Sequence, residues 1–165
     1  MDENDIQIPE DQKIDSRIES VFGRKIAIAL LALDWKYKEM AMKVVSKQTE
    51  KALNKTENSI NQDFGELVEA ATVAVSVACR EKVIKVLNVS LALFNMMVSS
   101  SKIDQDANVM RKFYATIESE QIVTKLLLKS EESNTRITNK VHEALLDLSY
   151  HPKVGEDFVA KALIS

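Results

Sequence analysis

At 165 residues the chain is one domain's worth of sequence, and its balance of 45% hydrophobic to 28% charged residues is that of a soluble globular fold. Three glycines and two prolines are too few for sheets and tight hairpins, so long helices with short connections are expected. A net charge of −3 gives no general argument for nucleic acid, and the single cysteine, Cys79, excludes an internal disulfide framework.

The opening, "MDENDIQIPEDQ", is acidic and lacks the apolar core of a signal peptide; residues 1–12 read as a flexible lead-in ending near Pro9. No apolar run approaches the roughly 20 residues needed to cross a bilayer. A cytoplasmic protein with no membrane partner is the expectation.

Residues 13–165 then read as one helical domain. Ile14, Ile18, Val21, Phe22, Ile26, Ile28 and Leu30 suit a helix buried nearly all round, with Gly23 as a weak spot that could mark a break. A polar corner, Asp34-Trp35-Lys36-Tyr37, precedes a second helix from about Lys36 to Leu53. The segment 54–63, "NKTENSINQD", is the clearest linker. Two further helices follow on either side of Arg80-Glu81-Lys82, and "SKIDQDAN" (101–108) is a second polar connection. Another pair spans about 107–129 and 134–149, with Ser133 as N-cap of the later helix and His151-Pro152-Lys153 as its stop. "GEDFVAKALIS" begins one more helix.

The second helix of each pair carries apolar or small residues at i, i+4, i+7 and i+8: Tyr37/Ala41/Val44/Val45, Val83/Leu87/Ser90/Leu91 and Ile137/Val141/Ala144/Leu145. The first offset is close to the roughly 40–47 residues of HEAT and armadillo repeats, and the second is somewhat longer. Any amphipathic helix shows such spacing, but pairing and register recur together. The expected fold class is therefore all-α: a HEAT-like α-solenoid of antiparallel helix pairs, about three pairs plus one helix, rather than a closed bundle.

In a solenoid the short loops inside successive pairs line up along one edge. The first loop holds Asp34, Trp35, Lys36 and Lys38, the second Arg80, Lys82 and then Lys85, and the third Asn134, Arg136 and then Lys140. An aromatic anchor followed by spaced cations suits an acidic protein surface. The bland alternatives are a corner tryptophan packed across its own loop and a solvated basic edge; both stay open at this point.

The stretch Trp35-Lys36-Tyr37-Lys38-Glu39-Met40-Ala41-Met42 resembles the opening of a TOG domain, in the divergent form found in a ciliary-tip centrosomal protein and a MAP kinase kinase kinase. "NTRITNKVHEALLDLSYHPKVG" is similar to a later repeat of that group. The resemblance implies a HEAT-repeat paddle that binds αβ-tubulin through its intra-repeat loops, with microtubule, cilium or centrosome association. Trp35 would be the apolar anchor on β-tubulin. Lys36 and Lys38 would flank it, unless Lys38 braces the turn, and Arg80, Lys82 and Lys85 would form the second contact. Asn134, Arg136 and Lys140 would form the third. About three repeats are present, fewer than a full TOG domain carries, which suggests a partial domain whose exposed end could self-associate. The competing function is a helical-repeat scaffold for another protein or a neighbouring domain.

Catalysis finds little support. His142 and His151 have no cysteine companion at metal-ligand spacing, no phosphate loop or nucleophile elbow is present, and Cys79 reads as a buried structural residue. No cofactor is expected. The methionine clusters, Met40/Met42 and Met96/Met97, read as gap-fillers between helices.

Overall fold

A computed structural model of the protein describes residues 3–54, 64–130 and 135–149. Most of the polar linker, the Ser133 cap, Asn134, the His151-Pro152-Lys153 stop and the final helix lie outside the described residues.

The Asp15 carboxylate accepts from the Arg17 and Ile18 amides and starts α1 (Ser16–Phe22). Gly23, with φ of 96°, ends it, and α2 (Arg24–Ala29) starts afresh after it, so the weak spot is a true break. After a corner, α3 (Trp35–Asn54) begins one residue earlier than expected. Next come α4 (Phe64–Ala78) and α5 (Ile84–Val98). The connection expected at 101–108 is not irregular: Ser100 accepts from the Ile103 amide and starts a short helix, α6 (Ser101–Gln105), whose Ile103 is buried. The single helix expected over 107–129 is two, α7 (Ala107–Ser119) and α8 (Ile122–Ser130), parted by Gln121 in the left-handed region at φ 55°. The described part of the last pair ends with α9 (Thr135–Ser149).

The helices form two layers. One contains α1, α4 and α7, which touch in that order, and the other α3, α5 and α9. Each pair crosses between layers: α2 against α3, α4 against α5, and α8 against α9. This is the expected solenoid of helix pairs. The small and β-branched residues of α4 explain its central place. Val68, Ala70, Ala71, Val73, Ala74 and Val75 are all buried, and small side chains let helices approach on several sides at once. The recurring pattern predicts the inner face of the second layer: Ala41 and Val45, Leu87, Ser90 and Leu91, and Val141, Ala144 and Leu145 are buried. Arg17 pairs locally with the Asp15 cap at 2.9 Å and ties α1 across to the end of α7 through Glu120 at 3.6 Å.

Two expectations need correction. Ile84–Gln105 is long and apolar enough to cross a membrane as a continuous stretch, which the reading of the sequence had excluded. It is a core segment that bends between α5 and α6, and Leu87, Leu91, Phe94 and Met97 face the interior. The lead-in is also partly docked. Glu3–Asp5 form a 3-10 turn, Ile6 is buried, and the Gln7 carbonyl accepts a hydrogen bond from the Leu33 amide at 2.8 Å.

Candidate protein-binding edge

The first intra-pair corner is built from backbone bonds. The amides of Leu31 and Ala32 donate to the carbonyls of Ile28 and Ala29, and Leu33 donates to Gln7. The Asp34 carboxylate then accepts from the Lys36 amide at 3.0 Å, satisfying one of the open donors at the start of α3. These bonds place Trp35 as the first residue of α3. It is half-buried and packs against the core, while the Lys85 ammonium sits 5.5 Å from its ring centroid. Core and surface are therefore not alternatives for this ring, which does some of each.

The second corner lies against the first. Lys38 pairs with Glu81 at 2.9 Å. The other Glu81 oxygen accepts from the amides of Lys82 at 2.9 Å and Val83 at 3.3 Å. Val83 is the N-cap of α5 and makes no side-chain cap bond; Glu81 satisfies the two amides just before the helix rather than those of its first turn. Burial pushes the Glu81 carboxyl up, but the Lys38 ammonium and the two amides outweigh it and hold it below its usual range. Lys38 is thus paired across the two corners. Lys36, Arg80, Lys82 and Lys85 are exposed.

The third corner's residues 131–134 lie outside the described residues. Helix α8 leads into them and touches α4 and α9. Arg136 and Lys140, in the first turns of α9, are exposed. Reasoning from sequence missed Lys125, whose ammonium donates to Ser76 Oγ. Burial and then the Arg80 charge lower its pKa, against the pull of Glu120 and Cys79. Its spacing of four from Lys129 toward a helix C-terminus was a usable signal.

Cys79 is fully buried, and desolvation pushes its thiol up to about 12, with Lys125 and Lys129 pulling the other way, so it stays protonated. Among the described residues no group of three or more His, Cys, Asp or Glu side chains could hold a metal ion.

The family model of the centrosomal protein CEP104 TOG domain matches residues 13–155. The chain belongs to this TOG domain family. It is a family of generally tubulin-binding helical modules, and it is not a known enzyme fold. Among solved structures, the TOG domain of human Cep104 is 18% identical, with a TM-score of 0.73 over 91% of this chain and 56% of that one. A second structure described as a CEP104 TOG domain is 20% identical, with a TM-score of 0.68 over 84% of this chain and 52% of that one. At these identities the likeness shows the fold, and this chain spans just over half the length of both. No curated protein matches its sequence.

Proposed function

We propose that this TOG domain binds αβ-tubulin through the edge formed by its intra-pair corners. Trp35 is the apolar anchor, and Lys36, Arg80, Lys82, Lys85, Arg136 and Lys140 are electrostatic contacts, with Asn134 in the third corner. The reading rests most on one observation: Lys38–Glu81 and Lys85–Trp35 join the first two corners into a single strip that sets an indole beside exposed cations. Such a strip suits an acidic partner, the ring as hot spot and the cations raising the encounter rate. Lys38 serves this edge as a brace. By the same reading the protein acts on the microtubule cytoskeleton, at the centrosome or cilium.

The test is association with unpolymerised αβ-tubulin, measured for the parent, Trp35→Ala and Arg136→Glu. The parent should bind, Trp35→Ala should weaken binding at least tenfold, and Arg136→Glu should slow association in low salt. A folded parent that does not bind tubulin rejects the function, and binding indifferent to Trp35→Ala rejects the anchor.

A second reading, a helical scaffold for another protein, a neighbouring domain or a second copy, is favoured by Leu128 on α8 and Leu146 on α9. These are 61% and 53% exposed on the last described pair. It predicts a partner bound regardless of Trp35.

A further inference from the structure

We propose that Leu33 is a second apolar contact on this edge, set out toward the partner by the docked segment Ile6–Ile8. The inference rests on the tubulin-binding reading above and names a residue that reading did not contain.

Leu33 is the most exposed large hydrophobic side chain among the described residues, at 65%. A single exposed leucine needs no explanation by itself. The constraint on its backbone is what calls for one. Ala32 before it is buried, and the Asp34 carboxylate after it is fixed on the Lys36 amide. Its own N–H is held by the Gln7 carbonyl at 2.8 Å, a bond from outside the helix pair. That carbonyl is fixed in turn, because Ile6 is buried and Ile8 packs against the core. The corner therefore has bonds on both sides of Leu33 that oppose turning it inward.

The position matters as much as the exposure. Leu33 lies two residues from Trp35, whose ring is partly committed to the core and to Lys85. Exposed Lys36 lies on the other side of the Asp34 cap, and Met40, 36% exposed, follows in α3. An exposed apolar side chain two residues from an aromatic ring, with an exposed lysine next along the same corner, has the make-up of an interface centre with a charged rim. The occupant that fits is an apolar recess within an acidic surface of tubulin. A backbone already held by the Gln7 carbonyl loses little conformational freedom on docking, which favours affinity.

The experiment titrates unpolymerised αβ-tubulin against the parent, Leu33→Ser, Leu33→Met and Trp35→Ala, with thermal melts of each. Leu33→Ser should weaken binding about fivefold or more at an unchanged melting temperature, while Leu33→Met should stay within about twofold of the parent. If Leu33→Ser weakens binding and Trp35→Ala does not, the anchor is Leu33 itself and the inference is strengthened. If the parent binds, Trp35→Ala weakens it and Leu33→Ser does not, the inference is overturned while the tubulin reading stands. A folded parent that does not bind overturns both.

Discussion

Lys38 and Glu81, 43 residues apart in the chain, meet at 2.9 Å, and this contact sets the spacing of the first two corners. Their side chains are 25% and 16% exposed, so the pair is partly sheltered from solvent. The same Glu81 carboxylate holds the Lys82 and Val83 amides at the entry to α5. One side chain thus serves both the contact between corners and the turn that leads into α5.

Glu81→Gln keeps the shape and removes the charge, and should lower the unfolding free energy by about 1 kcal/mol at neutral pH. Because the native carboxyl sits below its ordinary value of 4.5, its contribution is present above about pH 4.5. It is lost as pH falls through the depressed native value. Urea midpoints of parent and variant should therefore converge in acid. A gap of constant size from pH 7 to pH 3 would contradict the assignment.

Lys85→Met removes the cation above the Trp35 ring and should cost about 0.5 kcal/mol. Trp35 is the chain's only tryptophan, so its fluorescence reports this site alone. The emission maximum should move on Lys85→Met, whereas Lys82→Met, at an exposed position of the same corner, should leave it in place. Trp35→Ala should cost more, about 1–3 kcal/mol, because part of the ring packs on the core. Binding losses on that substitution must be read beside its melt.

Cys79 predicts the opposite pH dependence. Its native thiol is pushed up to about 12 from an ordinary 9.0, so ionisation favours the unfolded chain. The contribution to stability is intact below about pH 9 and declines as pH rises toward 12. Cys79→Ala should lack this decline, although loss of the buried sulfur costs it about 1 kcal/mol at pH 7. In the parent, thiol labelling should be slow in water and accelerate with urea, reporting opening of the α4–α8 contact.

The helix pairs were legible because burial imposes a period on sequence, and Ala41/Val45, Leu87/Leu91 and Val141/Leu145 carry it. Gly23 was legible because only glycine adopts its backbone at low cost. The division of α7 from α8 was hidden, since Gln121 takes a left-handed conformation that no glycine announces. Helix α6 was hidden by its polar sequence, although a serine cap three residues before Ile103 marks it. The Lys38–Glu81 brace leaves no local pattern at all, because both residues read equally well as solvated charges. The corner position of Trp35 was legible from the repeat, but its division between core and surface was not, since the sequence offers the two as alternatives. The exposure of Leu33 did not, because it depends on Gln7 docking from outside the repeat.

Gly23 and Gln121 break helices in the same layer and should respond oppositely to substitution. At Gly23, φ 96° and ψ 159° lie where a side chain is strained, yet an added Cβ would meet nothing within 4 Å. Gly23→Ala therefore isolates backbone strain from packing and should lower stability by about 1–3 kcal/mol. At Gln121 the strain is already present: φ 55° costs a non-glycine residue about 1 kcal/mol or more. Its side chain is exposed, so Gln121→Gly gives up little packing. The added freedom of glycine in the unfolded chain offsets about half of the relief, leaving a net gain of about 0.5 kcal/mol. Paired chemical-denaturation curves decide it. Stabilisation by Gly23→Ala, or clear destabilisation by Gln121→Gly, would show that one of these breaks is held by packing rather than by local backbone geometry.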